Sequence, residues 1–257
     1  MSLVLVTGST DGIGREAARQ LLAGGHDVVA HARDDARAAD VRRDVPGLRD
    51  VVVGDLASLE STRALAHAAA AAGPFDAVIH NAGVGGGATE RQPTGDGLER
   101  IFQVNTVAPY LLTALMPRPG RLVYLTSGLE SQGRAELDDL QYERRPWDGN
   151  QAYSDSKLYD VMLAFAVARL WPDVLSTAVD PGWIKTKLGG PDAWDEVDEG
   201  AATQVWLATG DADDARVTGR YLKRFAVLQA NPQASDRDLQ EGLLQRLADL
   251  TGVTLPR

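Results

Sequence analysis

The chain has 257 residues, 26 Lys+Arg against 36 Asp+Glu for a net charge of −10, and no cysteine. Without Cys there is no disulfide framework, thiolate nucleophile or Cys-ligated zinc. The negative balance argues against nucleic acid as a partner, because such binding depends on neutralising phosphates. With 44% hydrophobic and 24% charged residues, the composition is that of an ordered globule; the length suits one α/β domain or two small ones, and a single domain over 1–257 is expected. No run reaches the ~20 apolar residues of a membrane span. Leu3-Val-Leu-Val-Thr7 reads as a strand, not a signal segment. The expectation is a cytoplasmic protein with no membrane partner, and the preference for Ala and Arg over Lys suggests a GC-rich bacterial source.

Short apolar runs at 3–7, 27–32, 50–54, 76–80, 121–126, 174–179 and 219–222 read as strands, several of them apolar throughout, as in strands covered on both faces. Between them lie helical patterns at 12–24, 34–44, 58–72, 95–116, 151–170, 198–208 and 235–249. This alternation predicts an α/β fold: a doubly wound parallel sheet of about seven strands with helices on both faces, a three-layer sandwich. Ser58 and Ser61 offer caps for the third helix, Gly73-Pro74 ends it, and Asn150 or Ser154 offers a cap for the helix that runs toward Trp171-Pro172. The irregular stretches 129–150 and 183–198 both follow strands, where open α/β sheets bind ligands.

The first strand runs directly into Thr7-Gly8-Ser9-Thr10-Asp11-Gly12-Ile13-Gly14 and then a helix. Glycines allow so tight a turn and let the backbone approach a pyrophosphate at a helix N-terminus. The plain alternative is an ordinary βα turn, and the βαβ context favours a dinucleotide site. At the end of the second strand, His31-Ala32-Arg33 places an Arg where an acid would select NAD(H). Its fork suits a 2′-phosphate, which favours NADP(H) over NAD(H).

Tyr153-Ser-Asp-Ser-Lys157 puts a phenol and an ammonium on one helix face. The ammonium favours the phenolate, which makes Tyr153 a usable general acid or base. With six Tyr and four Lys such a pair arises by chance in roughly one chain of ten, so it needs support. Leu125-Thr126-Ser127-Gly128 ends a strand with a hydroxyl that can bond a carbonyl oxygen. His80-Asn81-Ala82-Gly83 ends another with a small-residue turn that admits a cofactor. Val104-Asn105-Thr106 lies in a helical stretch that Pro109 loosens, where a water can be held.

In this order, with Asp55-Leu56 and Pro181-Gly182-x-x-x-Thr186, these motifs make the chain resemble the short-chain dehydrogenase/reductase family over nearly its whole length. Ser127 and Tyr153 lie 26 positions apart, twice the common family spacing. That insert, with the Tyr-Ser-x-Ser-Lys-Leu run and the C-terminal Leu250-Thr-Gly, is similar to the branch of retinol-dehydrogenase-like and WW-domain oxidoreductases. The resemblance implies a Rossmann-type fold. It makes Tyr153 the acid/base, Lys157 its partner and ribose ligand, Ser127 the residue that orients the substrate oxygen, and Asn105 the holder of a relay water. It implies cofactor contacts from Gly8, Ser9, Gly12, Ile13, Gly14 and Arg33. Others follow at Asp55 and Leu56 (adenine), Asn81, Ala82 and Gly83 (ribose side), Pro181, Gly182, Ile184 and Thr186 (carboxamide side). For Asp55 the alternative is a cap on the next helix. For Pro181-Gly182 it is a plain turn.

Trp147, Trp183 and Trp194 fall in the two irregular stretches and either line an apolar substrate pocket or anchor the loops. No G-x-S-x-G or G-K-[ST] occurs, and the four His lack ligand spacing, so no metal is expected. The expected activity interconverts a small-molecule alcohol with an aldehyde or ketone using NADP(H). The alternative is a non-catalytic NADP(H) sensor on the same fold, and the chain is expected as a homodimer or a monomer.

Overall fold

The computed structural model describes residues 1–85 and 87–257. Eight strands form one sheet: β1 (Leu3–Val6), β2 (Asp27–Ala32), β3 (Asp50–Val53), β4 (Ala77–His80), β5 (Arg121–Leu125), β6 (Leu175–Val179), β7 (Arg220–Lys223) and β8 (Ala226–Leu228). Their order is β3-β2-β1-β4-β5-β6-β7-β8. The first seven run parallel, and β8 returns antiparallel to β7. The eighth strand exceeds the seven expected. Its three residues are all exposed and so show no alternation, and the turn before it is Arg224-Phe225, without the Gly or Asn that marks a tight hairpin.

Strand periodicity divides the apolar side chains into two cores. Leu3 and Leu5 of β1, Val78 of β4 and Leu122 and Tyr124 of β5 point to one face. Val4, Val6, Ile79, Val123 and Leu125 point to the other. Helices α3 (Leu59–Ala72), α5 (Ala108–Leu115), α6 (Gly149–Leu170) and α8 (Arg237–Thr251) cover the first face. Helices α1 (Gly12–Ala23), α2 (Asp35–Asp44) and α7 (Val197–Thr209) cover the second. The strand order reverses between β1 and β4, which opens a crevice at their carboxyl ends.

Caps fix most helix starts. Asp11 accepts from Gly12 N at the head of α1, Asp34 from Arg37 N at α2, and Ser58 from Ser61 N at α3. Ser58 therefore does the capping that Asp55 was an alternative for. Asp148 caps α6 through Asn150 N and Gln151 N, so the helix begins at Gly149 rather than after Asn150 or Ser154. The helix expected from 95 begins only at α4 (Arg100–Phe102), because the backbone turns at Gly97 (φ 78°) and Glu99 caps Ile101 N and Phe102 N. It then widens into a π-helix at Gln103–Val107 before α5. Ala108 N reaches back five residues to Gln103 O. Pro109 has no N–H, so the Asn105 carbonyl lacks its α-helical donor.

Candidate active site

The glycine turn is built so that a side chain cannot enter it. Gly8 holds φ at +63°, and a Cβ there would stand 2.8 Å from Ala82 Cα. A Cβ on Gly14 would stand 2.3 Å from Asn81 Nδ2 and 2.4 Å from Gly8 O. That closeness is occupied by hydrogen bonds: Asn81 Nδ2 donates to Thr7 O (2.9 Å) and Gly8 O (3.2 Å), while Asn81 N and Ala82 N both donate to Thr7 Oγ1. The β4 turn and the glycine turn are thus one latch, and the backbone they bare is a cradle of the kind a pyrophosphate needs.

His31 supports the cradle from below. Its Nδ1 accepts from Gly8 N (2.9 Å), so the ring proton sits on Nε2, which donates to Gly54 O (2.8 Å). Burial lowers its pKa from the usual 6.5, and the neutral ring is the form that this arrangement requires. Ser9, in contrast, does not reach the cavity. It is fully buried, donates to Val6 O (2.8 Å) and accepts from His31 N (2.8 Å).

A cavity of about 550 Å³ runs over this turn. It is lined by Gly8, Gly12, Ile13, Gly14, Arg33, Asp55, Leu56, Asn81, Ala82, Gly83, Tyr153, Lys157, Pro181 and Thr186. His31, Arg37, Arg100, Val104, Lys187 and Leu188, not singled out from sequence, also line it. Arg33 pairs with Asp34 (3.1 Å), and Arg37 pairs with Asp11 (3.6 Å). A hydrogen bond from Lys187, ahead of the Gly12 N–H, holds the Asp11 carboxyl below its usual range. Asp55 forms a local turn on Ala57 N (2.9 Å) beside the cavity wall.

A second cavity, about 590 Å³, adjoins the first. Ser127, Leu129, Asn150, Asp180, Gly182, Trp183, Ile184 and Lys223 line it. Tyr153 lines both cavities, as do Ile13, Thr126, Pro181, Thr186 and Leu188. Ile184 and Gly182 belong to the second cavity, not the first. Among the described residues Ser127 Oγ accepts one long bond, from Leu129 N (3.3 Å), and donates none.

Helix α6 is keyed to its surroundings around Tyr153. Thr126 Oγ1 donates to Lys157 O (2.7 Å), and Asn105 Nδ2 donates to Ser156 Oγ (3.0 Å). Asn105 also holds the turn after β4, accepting from Val84 N (2.8 Å) and donating to Val84 O (3.0 Å). Its side chain is therefore occupied by protein. Lys157 Nζ lies 5.8 Å from the Tyr153 ring centre and donates to Leu125 O (2.8 Å) and Asp160 Oδ2 (2.9 Å). An ammonium has three protons. Two are placed here, and the third remains for the cavity that Lys157 lines.

The 129–150 insert is anchored on Asp155, two residues past Tyr153. That buried carboxylate accepts from Tyr142 Oη (2.7 Å), Arg134 N (2.8 Å), Gln151 Nε2 (2.7 Å) and Arg145 Nη1 (3.3 Å). Trp147 belongs to this anchorage. It packs edge-on to Tyr142 (5.4 Å), donates to Ala88 O (2.9 Å) and lies outside the second cavity's lining. In the other loop Trp183 lines the cavity and donates to Gly189 O (2.8 Å). Trp194, 65% exposed, stacks on the edge of Trp183 (4.5 Å) and does not line it. Lys223 ion-pairs with Asp180 (2.8 Å) on the cavity wall. It is carried there by the β7–β8 turn, in which Arg224 (φ 48°) and Phe225 (φ 65°) both take left-handed backbone, a strain that bulky residues adopt only where surroundings impose it.

Comparison with known proteins agrees with this geometry. The short chain dehydrogenase family model matches residues 2–138. The chain is 39% identical to the short-chain dehydrogenase chyC of Penicillium rubens, over 100% of both chains. The chain belongs to the short-chain dehydrogenase/reductase family. It is 34% identical to a putative daunorubicin C-13 ketoreductase of a Streptomyces (98% of this chain, 93% of the relative). It is also 30% identical to human retinol dehydrogenase 13 (98% and 85%), so retinol-dehydrogenase-like members are among its relatives. A blue fluorescent protein from a metagenomic library, solved with NADPH, superposes with a TM-score of 0.68 at 25% identity, covering 86% of this chain and 95% of that one. Relatives from a fungus, a bacterium and human give no support to the bacterial source read from composition. The chain is an oxidoreductase of CH–OH and carbonyl groups of small molecules that uses NAD(P)(H). Among the described residues, no helix is long and apolar enough to cross a membrane.

Proposed function

We propose that the chain is an NADP(H)-dependent oxidoreductase that interconverts an alcohol and an aldehyde or ketone on a small to medium, largely apolar molecule, with Tyr153 as its acid/base. The observation that carries this reading is the place of Tyr153. It lines both the cavity over the glycine turn and the second cavity, with Ser127 lining only the second and Lys157 only the first.

When bound, the nicotinamide cofactor supplies or takes up hydride. The chain does the rest. Gly8, Gly12 and Gly14 give a pyrophosphate its approach to the head of α1. Ser127 hydroxyl orients the substrate oxygen. Tyr153 delivers a proton to that oxygen during reduction and removes it during oxidation, and Lys157 holds positive charge beside the phenol throughout. Arg33 and Arg37 line the cavity beyond the end of β2, where a 2′-phosphate would lie, and both are fork-shaped donors suited to it. Trp183 and Leu188 close the apolar side of the second cavity.

Tyr153→Phe is expected to lower kcat by at least ~10²-fold, the usual worth of an acid/base group, while NADPH binding, followed by quenching of tryptophan fluorescence, is retained. Full turnover in that variant overturns the mechanism. Arg33→Ala is expected to weaken NADP binding and leave NAD binding unchanged. Equal weakening of both sinks the 2′-phosphate assignment.

A further inference from the structure

Helix α6 buries an ion pair that the Tyr153–Lys157 pair does not itself require. Asp160 lies one turn beyond Lys157, with Nζ and Oδ2 2.9 Å apart and side chains only 5% and 3% exposed. A buried pair of this kind is weak evidence for stability, because taking both charges out of water costs about as much as their attraction returns. The groups facing Asp160 from other elements offer it no second cation. Tyr124 of β5 is near enough for the carboxylate to raise its pKa, although burial raises it more. Thr113 of α5 bonds Tyr124 Oη (2.8 Å) and His80 Nε2 (3.1 Å). Burial pushes the His80 imidazole down to about 3, so it is neutral. Among the described residues Asp160 makes its ion pair with Lys157 alone, and its Oδ1 has no hydrogen-bond partner. Burial pushes the Asp160 carboxyl up and Lys157 pulls it back, and the 2.9 Å contact with the ammonium favours the carboxylate form. Burial works against the Lys157 charge, but Asp160 and then Tyr153 outweigh it, and the ammonium is kept.

Charge balance gives this pair a consequence at Tyr153. With Asp160 and Lys157 both ionised, the buried pair and the half-buried Tyr153 beside it are together neutral while the phenol holds its proton and carry −1 once the proton leaves. Without the Asp160 charge, the same group carries +1 with the phenol intact and becomes neutral on ionisation. Low-dielectric surroundings favour the neutral state in each case. We propose that Asp160 is a positioning residue that balances the Lys157 charge, restrains proton loss from Tyr153, and so favours its proton-donating role in carbonyl reduction. The inference rests on Tyr153 being the acid/base. In that direction the carbonyl carbon gains hydride from the reduced dinucleotide as the C=O π bond opens. The oxygen takes the Tyr153 proton, and the phenolate regains one from solvent. The carbonyl is reduced and the dinucleotide oxidised.

The test needs neither substrate nor cofactor. Tyrosinate absorbance of the unliganded protein is titrated in wild type and Asp160→Asn, each against its own Tyr153→Phe control, so that the difference reports Tyr153 alone. The Asn variant is expected to ionise Tyr153 at a pH lower by at least about one unit, a tenfold change in the equilibrium. In a Lys157→Met background Asp160→Asn is expected to move it no further, because the buried acid there has no cation to balance. No displacement, an upward one, or the same displacement without Lys157 overturns the proposal. Asp160→Ala gives the same comparison should the Asn variant fail to fold. Reduction of isatin with NADPH separates this inference from the reading beneath it. The alkaline fall in rate is expected to move to lower pH in Asp160→Asn. Wild-type turnover with an unmoved profile overturns the Asp160 role, whereas full isatin turnover by Tyr153→Phe overturns the acid/base reading on which it stands.

Discussion

The two ends of the active site are held by different means. At the cofactor end, backbone packs with no room for a side chain: Gly8 against the Ala82 backbone, Gly14 against Gly8 O and the Asn81 amide that latches the turn. At the substrate end, side chains from distant segments meet: Tyr142 and Arg145 on Asp155, Lys223 on Asp180, Arg224 on Asp195. The first arrangement admits almost no variation in residue type, since any Cβ collides. The second admits many residues of suitable length and charge, and so can change its ligand without changing its frame.

Substitutions can break that contrast. The largest effect is expected from Gly14→Ala. Its Cβ would lie 2.3 Å from Asn81 Nδ2, so the latch must open, and NADPH affinity measured by fluorescence quenching is expected to fall by more than ~10-fold. Unchanged affinity would show that the cofactor end is as tolerant as the other. Asp155→Ala comes next. It strands the Tyr142 hydroxyl and leaves Arg145 with Asp139 as its remaining partner, a loss of roughly 2 kcal/mol in chemical denaturation. KM for a carbonyl probe is expected to rise with cofactor affinity intact, and a matching loss of NADPH binding would merge the two ends into one. Trp183→Ala is expected to raise KM several-fold with little change in Tm, and Trp194→Ala less, because Trp194 touches the cavity only through Trp183. The reverse order would relocate the substrate.

The smallest effect concerns pH. Burial holds the His80 pKa down at about 3, below the ordinary 6.5. Between those values the unfolded chain binds a proton that the folded chain refuses. Stability is therefore whole above pH 6.5 and is lost as pH falls, by up to about 1.4 kcal/mol per pH unit for one such group. His80→Asn is expected to flatten the fall of Tm between pH 6.5 and pH 5 relative to wild type. Parallel curves would place the acid sensitivity elsewhere, His31 being the next candidate.

The same division decided how much could be read from the residues alone. Glycine spacing is a local requirement, so the turn and its strand and helix were legible, as were the parallel sheet and the helix layers on both faces, because strand and helix periodicities differ. Tyr153, Lys157 and Ser127 fall together for the same reason: each lies on or beside an element with a clear period. Residues whose roles depend on distant segments were not legible. For Trp147 the sequence left open whether it lines a pocket or anchors its loop, and its contacts with Tyr142 and Ala88 make it an anchor. Ser9 was grouped with its glycine neighbours, although its hydroxyl turns inward to Val6 and His31. Strand β8 and the Lys223 it returns from escaped notice because their turn uses Arg-Phe where a hairpin normally shows Gly. Asp160 alone had a local signal, three residues past Lys157 on the same helix face.

Asp155 has a consequence for how such a site can diversify. The insert between Ser127 and Tyr153 gathers a hydroxyl, a cation and a backbone N–H on one carboxylate carried by the catalytic helix itself. Its length and sequence can drift while the helix stays in place, provided that a hydroxyl and a cation still arrive at that one point. The chain thereby separates what it inherits, the proton-handling helix, from what it is free to revise, the wall that a substrate meets.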